Sequence, residues 1–193
     1  MKHITFHLDF VSPYAWLAFH ALPQALEGVS HHVVYRPVLL GALLKARGNP
    51  GPMAAAPKAD WIRRHAEWLG RTGGAGLELP AQHPFDPLPL LRLALQCSAD
   101  GAVNRFVAGA LFRHVWHGGQ DALEPARVQR LRAQLAQQLR ASPEQAKALL
   151  RANTDAAAAR GVFGVPMFEA EGQLFWGLDS LPMLRACLTA SVV

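Results

Sequence analysis

The sequence predicts an α/β fold in which sheet-forming segments near both ends flank a long helical segment. Apolar residues alternate with polar ones from Ile4 to Phe10, which is the period of a strand with one buried face. A second strand pattern spans 31–38, and a hairpin pattern spans 167–176. Between residues 39 and 160 only helical periodicity is found, so we expect these helices to form an insertion between two parts of one sheet.

The first strand leads directly into a helix that is predicted from Pro13 to about Glu27. Ser12 suits the N-cap of this helix and Pro13 suits its first position, because proline lacks only an amide hydrogen that would have no partner there. The next strand runs from about His31 to Val38. The order strand, helix, strand implies a parallel pair joined by a right-handed crossover.

The remaining elements are predicted from apolar spacing and from end signals. Ser142 and Pro143 give the last helix of the insertion a cap and a first residue, and Asp179 is expected to cap a closing helix that reaches about Thr189. The predicted hairpin strands are 167–170 and 173–176, and the predicted helices of the insertion are Leu39–Ala46, Lys58–Arg71, Leu88–Cys97, Ala102–Trp116, Pro125–Arg140 and Pro143–Arg160.

The composition indicates one globular domain. The chain has 193 residues, of which 51% are hydrophobic, so it can bury a substantial core and is not disordered. Its formal charge of +5 is spread along helical stretches without a basic block, so no nucleic-acid partner is expected. No apolar run reaches the roughly 18 residues that cross a bilayer, and the N-terminus lacks a signal-like core. We therefore expect a cytoplasmic protein with no membrane contact.

The two cysteines do not indicate redox chemistry. Cys97 and Cys187 lie far apart in helical patterns and form no Cys-x-x-Cys pair, so we interpret both as small hydrophobic residues. The nine histidines lack the spacing of metal ligands, and the adjacent His31 and His32 would point to opposite faces of a strand. No metal site is predicted.

Two short motifs carry the candidate chemistry. A helix that begins at Pro13 directs its free N–H groups and the positive end of its dipole toward the surroundings of Ser12, which favours an anion such as a thiolate. Taken alone, Ser12 would be interpreted as a simple helix cap. Far along the chain, Gly161–Phe168 reads Gly-Val-Phe-Gly-Val-Pro-Met-Phe and enters a strand through Val165-Pro166. A proline at this place is a candidate cis residue, which folded proteins keep where the geometry is needed.

The Ser-Pro-Tyr junction at residues 12–14, the helical insertion and the Phe-Trp-Gly-x-Asp sequence at 175–179 together resemble the 2-hydroxychromene-2-carboxylate isomerases. These enzymes are relatives of the kappa-class glutathione transferases and of the bacterial disulfide oxidoreductases. The resemblance implies a thioredoxin-like domain formed by residues 1–38 and 161–193. Residues 39–160 would then be its large, all-helical insertion.

The same resemblance implies that glutathione is the cofactor. Ser12–Ala15 stands where the oxidoreductases have Cys-Pro-x-Cys, and a chain without both sulfurs cannot exchange disulfides by that route. In the family, reduced glutathione supplies the sulfur. Since no base can be assigned to it, Ser12 is interpreted as the donor that keeps this sulfur ionised, rather than as a nucleophile. The other implied glutathione contacts are the backbone at Val165 and Pro166 for the cysteinyl part, and Asp179 and Ser180 for the γ-glutamyl end.

Four residues are candidate substrate contacts through this resemblance. Asn49 stands at the place of a family asparagine, and Lys58 could neutralise a carboxylate as a point charge, although a turn asparagine and an exposed lysine are also ordinary features. Phe85 and Asp86 lie in a loop, His83–Pro89, that resembles a family loop in which asparagine is expected at position 86. An acidic Asp86 would disfavour a nearby carboxylate substrate unless it is paired.

The family reaction gives the predicted function, a glutathione-dependent cis-trans isomerase in which a thiolate adds reversibly to an unsaturated aromatic keto-acid. The family interconverts 2-hydroxychromene-2-carboxylate and trans-o-hydroxybenzylidenepyruvate during bacterial degradation of naphthalene-like aromatics. Two alternatives stay open. A kappa-like glutathione transferase would release a stable conjugate, and a thioredoxin-like binding protein would not catalyse a reaction. A homodimer is also left open.

Overall fold

The computed structural model, which describes residues 1–190, contains one four-stranded sheet. Its strands are β1 (Lys2–Leu8), β2 (His31–Pro37), β3 (Met167–Ala170) and β4 (Gln173–Trp176). The strand order is β2-β1-β3-β4, with β1 parallel to β2 and antiparallel to β3, and with β4 antiparallel to β3. The α/β fold, the parallel pair and the C-terminal hairpin predicted from the sequence are therefore confirmed.

Eight α-helices occur within the described residues. They are α1 (Pro13–Ala25), α2 (Leu40–Ala46), α3 (Ala56–Thr72), α4 (Leu88–Gln96), α5 (Arg105–Trp116), α6 (Pro125–Gln134), α7 (Pro143–Ala159) and α8 (Leu181–Thr189). Ser142 caps α7 as predicted, through a reciprocal pair of hydrogen bonds with Gln145. None of these helices is long and apolar enough to span a membrane.

One helix of the insertion is shorter than predicted. The sequence predicts that α6 reaches Arg140, but the helix ends at Gln134 and a short 3-10 turn follows at Ala136–Gln138. The backbone N–H groups of Arg140 and Ala141 both donate to Gln96 O, at 2.7 and 3.0 Å. The chain leaves the helix because it docks against the C-terminal end of α4 at this point.

The central strand is covered on both faces at its C-terminal end. Its apolar face is buried as predicted, but His7 and Asp9, which the alternation assigns to the polar face, are also only 2% and 0% exposed. Met167 pairs with His7 and so points to the same side, where it belongs to a second, smaller core with Leu43 of α2 and Ala157 of α7. The prediction of an exposed polar face is therefore wrong here, because helices pack on that side too.

The helical insertion shares the main hydrophobic core with the sheet and with α1. Phe112 of α5 packs against Phe10, Trp16 and Phe19, with ring centroids 5.0, 6.0 and 5.2 Å apart. Trp116, one turn further along α5, is fully buried. Aromatic pairs of this kind contribute about 0.5–1.5 kcal/mol each beyond the burial of their surface, so they hold α5 firmly against α1.

Candidate functional site

Ser12 lies at the N-cap of α1, as predicted. Its backbone is extended (φ −90°, ψ 117°), and its Oγ accepts a hydrogen bond from Ala15 N at 3.2 Å. The hydroxyl donates to Val165 O at 3.4 Å, which joins the two sequence motifs across 153 residues of chain. Ser12 is only 6% exposed. The hydroxyl therefore sits at a protected junction between the start of α1 and the proline motif.

The proline motif forms the second side of this junction. The Val165–Pro166 peptide bond is cis, as the sequence predicts. Pro166 O accepts a hydrogen bond from Gly177 N at 3.0 Å, which ties this segment to the residue that follows β4. Beside it, the exposed rings of Phe163 and Trp176 pack edge to face at 5.1 Å. The loop thus presents backbone groups next to an aromatic surface.

Asp9 is a fully buried carboxyl at the beginning of the Ser12 turn, which comprises residues 9–12. Its Oδ1 accepts from Val11 N at 3.2 Å, and its Oδ2 accepts from Leu40 N, at the first residue of α2, at 2.9 Å. Burial raises the pKa of Asp9 to about 7. Backbone N–H donors oppose this rise, and the negative charge of Asp86 adds to it. A change of pH through neutrality therefore changes the charge at the base of the turn.

Two side chains of the insertion hold the middle of the Ser12 turn. Trp116 Nε1 donates to Phe10 O at 3.1 Å, and His83 Nε2 is bonded to Val11 O at 2.9 Å. Burial lowers the pKa of His83, so the neutral ring with a protonated Nε2 is the form that donates here. The carbonyls of Phe10 and Val11, in the middle of the turn, are thereby held by side chains of the insertion.

Tyr14, in the first turn of α1, connects this helix to α3. Its hydroxyl shares a hydrogen bond of 2.9 Å with His65 Nδ1. The ring of His65 is stacked on both Trp61 and Trp68, with interplanar angles of 13°. These two tryptophans are 57% and 53% exposed, and Lys58 lies three residues before the first of them, on the same side of α3. The two exposed tryptophans of α3 are therefore connected to the start of α1 through His65.

Asp179 does not cap the last helix, so that prediction is wrong. Helix α8 begins at Leu181, and Asp179 lies before it in a short 3-10 turn, Leu178–Ser180, which packs against α1. The chain bends at Gly177, whose φ of 95° favours glycine, and a Cβ on that residue would collide with Asp179 Oδ1. The exposed carboxylate of Asp179 forms no ion pair within residues 1–190, whereas Ser180 Oγ donates to Gly177 O at 2.7 Å.

The four predicted substrate contacts lie in different environments. Asn49 is exposed, bonds through Oδ1 to the backbone N–H two residues ahead at 2.8 Å, and lines a cavity of about 410 Å³ beside α2. Lys58 is exposed in the first turn of α3. Phe85 is 7% exposed and belongs to the main core. Asp86 is exposed, and its Oδ1 accepts from the first backbone N–H of α4 at 3.0 Å.

Both cysteines are free thiols. Cys97 is buried, and burial raises the pKa of its thiol, whereas Cys187 is half-buried. Within the described part of the chain, no group of three or more histidine, cysteine, aspartate or glutamate residues is placed to hold a metal ion. The functional groups at the start of α1 are therefore the Ser12 hydroxyl and the Asp9 carboxyl, and the 3-10 turn that carries Asp179 packs against the same helix.

Comparison with known proteins assigns this arrangement to a family. The profile of the DSBA-like thioredoxin domain matches residues 3–189. The chain belongs to the DSBA-like thioredoxin domain family. It is 30% identical over 195 residues to a 2-hydroxychromene-2-carboxylate isomerase of Sphingobium xenophagum, with 97% of this chain and 98% of that protein covered. It is 27% identical over 206 residues to human glutathione S-transferase kappa 1, with 93% and 88% covered. A solved structure of a 2-hydroxychromene-2-carboxylate isomerase matches with a TM-score of 0.78 at 25% identity, covering 96% of this chain and 94% of that one.

The thioredoxin-like fold and the resemblance to the isomerases, both predicted from the sequence, are thus confirmed. Within this DSBA-like domain, sequence reasoning missed the three side chains that hold the Ser12 turn. Only Asp9 gives a local signal, because its carboxyl stands between the large apolar residues Leu8 and Phe10. His83 and Trp116 give no such signal, because their contacts span 72 and 106 residues.

Proposed function

We propose that this protein is a glutathione-dependent cis-trans isomerase of the 2-hydroxychromene-2-carboxylate type, acting on an unsaturated aromatic keto-acid. The observation that carries the proposal is the Ser12 hydroxyl, which lies at the N-terminus of α1 and contacts the proline motif. Residues 12–15 contain no cysteine, so the reacting sulfur must come from a bound thiol. The isomerases and kappa-class glutathione transferase among the relatives support glutathione as that thiol.

The surroundings of Ser12 suit a thiolate. The contact from its hydroxyl to Val165 O is 3.4 Å, longer than the usual O–H···O distance of about 2.7–2.8 Å, so the hydroxyl can exchange this acceptor for a sulfur anion. The dipole of α1 acts in the same direction. Bound glutathione would supply the thiolate for reversible addition to the conjugated double bond of the substrate. Ser12 would hold that thiol in its ionised form near neutral pH, below its free pKa of about 8.5.

The remaining glutathione contacts are proposed from the hydrogen-bonding groups that residues 165–166 and 179–180 do not use within the protein. Pro166 has no N–H and its carbonyl accepts from Gly177 N, so the backbone N–H of Val165 is the donor that this loop offers to the cysteinyl part. The exposed carboxylate of Asp179 suits the ammonium of the γ-glutamyl end. The Ser180 hydroxyl already donates to Gly177 O, so it would contribute as an acceptor.

The substrate would lie between the first turn of α1 and the exposed side of α3. Lys58 is an exposed cation of α3, as is Arg64, and it would attract the carboxylate of a keto-acid. Asn49 uses its carbonyl in a turn and keeps its amide N–H groups as donors. The negative charge of Asp86 acts near Asp9. Its repulsion would turn the substrate carboxylate away from that side and toward Lys58. Phe85 would support the loop from the core.

The decisive experiment compares Ser12→Ala with Ser142→Ala, because both residues cap a helix but only the first lies at the proposed site. Conversion of 2-hydroxychromene-2-carboxylate is followed by absorbance with and without glutathione. Each variant should lose about 1 kcal/mol of unfolding free energy. Only Ser12→Ala should lose turnover, by about 10²–10³-fold, since it removes a donor to the developing anion. Equal turnover in the two variants would remove Ser12 from the mechanism.

A kappa-like glutathione transferase is the second candidate, because human glutathione S-transferase kappa 1 also aligns over 93% of this chain. The same Ser12 site would serve it. Quantifying free glutathione after many turnovers separates the two, since an isomerase returns the thiol and a transferase consumes it. Binding of glutathione without turnover of either substrate type would indicate the non-catalytic alternative. The cytoplasmic location and the homodimer stay predictions.

A further inference from the structure

A basic cavity of about 360 Å³ lies between α5 and α6, outside the site described above. Its lining includes Arg113, Arg127, Arg130 and His114, and no aspartate or glutamate is among the described residues that line it. On α5, the residues that face this cavity are not those that reach α1, because Trp116 and its aromatic neighbours point into the main core. The cavity is thus separated from the Ser12 turn by the body of α5.

The positive charge of this cavity is only partly offset by acidic groups. None of its arginines forms an ion pair with a carboxylate within residues 1–190. The neighbouring acids are already engaged: Glu124 accepts from the first N–H groups of α6 at 2.9 and 2.7 Å, and Asp121 accepts from a backbone N–H at 2.8 Å. The pKa of Arg127 is lowered by burial and by the positive charge of Arg130, and attraction to the two acids offsets only part of this. Arg127 and Arg130 therefore repel each other.

Two of the cavity groups are already fixed in position. Arg127 donates through Nη2 to His114 O at 2.6 Å and through Nη1 to Asp121 O. The ring of His114 is bonded through Nε2 to Ala122 O at 2.9 Å. Arg130 is exposed at the cavity edge, where its side chain is free to move toward a ligand. Arg127 therefore contributes a positive charge that is already held in place, which lowers the ordering cost of binding an anion, while the exposed Arg113 and Arg130 supply the donors.

We propose that the cavity between α5 and α6 is a second ligand site, which binds a small polyanion carrying phosphate groups. The exposed Arg113 and Arg130 provide planar, forked donors that match phosphate oxygens in pairs, and Arg127, whose two Nη groups are bonded to backbone carbonyls, adds positive charge. A volume of about 360 Å³ exceeds the need of one orthophosphate and accommodates a diphosphate with a small organic group. A bound polyanion would also relieve the mutual repulsion of the arginines.

The test measures pyrophosphate binding by isothermal titration calorimetry for the wild-type protein, Arg130→Gln, Arg113→Gln and Arg151→Gln. Arg151 is the matched control, because it is an exposed helical arginine on α7, paired with Asp155, and its replacement changes the net charge equally. Both cavity variants should bind pyrophosphate about tenfold more weakly, whereas Arg151→Gln should bind like the wild type. Equal weakening in all three variants, or no binding to the wild type, would overturn the proposal.

A spectroscopic readout locates the ligand without depending on activity. The pKa of His114 is lowered by burial and further by the charges of Arg127 and Arg130, although its bond to Ala122 O opposes this. A polyanion beside these groups should raise that pKa, measured by NMR titration of the ring protons with and without pyrophosphate. The exposed His32 of β2 serves as the internal reference. Equal shifts at both histidines would show non-specific binding and would refute the site.

Discussion

Replacing Asp9 with asparagine should remove a pH-dependent part of the free energy of unfolding. Asp9 is fully buried, and burial raises its pKa from 3.8 to about 7 against the opposing effect of the backbone N–H donors. Asparagine has nearly the same shape, keeps one of the two accepting oxygens and does not ionise. The variant therefore isolates the contribution of the charge.

The direction of the effect follows from proton linkage. Between about pH 4 and about pH 7 the unfolded chain has released the Asp9 proton while the folded chain retains it, so the wild-type protein loses stability as the pH rises. Below this window both states are protonated, and above it both are ionised, so the loss stops at each end. A rise in pKa from 3.8 to about 7 corresponds to about 4 kcal/mol, at about 1.36 kcal/mol for each pH unit.

Urea denaturation of both proteins, at steps from about pH 4 to about pH 8, measures this effect. The difference between wild type and Asp9→Asn is the informative quantity, because the other titrating groups are the same in both proteins. It should fall by about 4 kcal/mol across the window and stay level above it. The lost accepting oxygen adds a constant offset of about 1–3 kcal/mol. A difference independent of pH would refute the reasoning, and one that rises with pH would show that the N–H donors outweigh burial.

Three further variants test the support of the site and the source of its sulfur. Trp116→Phe should lower the unfolding free energy by about 2–4 kcal/mol, since it leaves Phe10 O without its donor in a buried place, and an unchanged urea midpoint would contradict this. Replacing Cys97 and Cys187 together with alanine should preserve glutathione-dependent turnover, and a folded but inactive double variant would instead require a protein thiol as nucleophile. Gly177→Ala should cost more than about 1 kcal/mol because of its φ of 95°, and a wild-type melting temperature would exclude that strain.

Helix ends that are set by residues close in the sequence were predictable. Ser12 and Ser142 both cap helices where the sequence places them, because a cap needs only the N–H groups two or three residues ahead. The end of α6 was not predictable. Its helical pattern continues past Gln134, but the chain is drawn to Gln96 O by contacts that no local spacing encodes. Asp179 failed as a cap for a similar reason, since the chain bends before the helix begins.

The difference between local and long-range contacts also decided which parts of the candidate site could be predicted. Ser12 and Val165 were selected separately by their local motifs, and the structure brings them together. The alternation along β1 could not show that His7 and Asp9 are buried, because burial of the second face depends on helices that are distant in sequence. Local motifs thus singled out Ser12 and the Val165-Pro166 segment, and the family resemblance supplied their proposed roles, but neither indicated the side chains that hold the Ser12 turn.

The position of Ser12 depends on the helical insertion. Trp116 and His83 hold the carbonyls of the two residues that precede Ser12, and Asp9 is bonded to the start of α2. Without the insertion these contacts would be lost, and each buried polar group left without a partner costs about 1–3 kcal/mol. The division of the chain into residues 1–38, 161–193 and an insertion at 39–160 therefore describes the order of segments along the sequence. It does not separate parts that are stable independently of one another. A thioredoxin-like half deprived of its helices would lose the support of the turn on which the proposed chemistry rests.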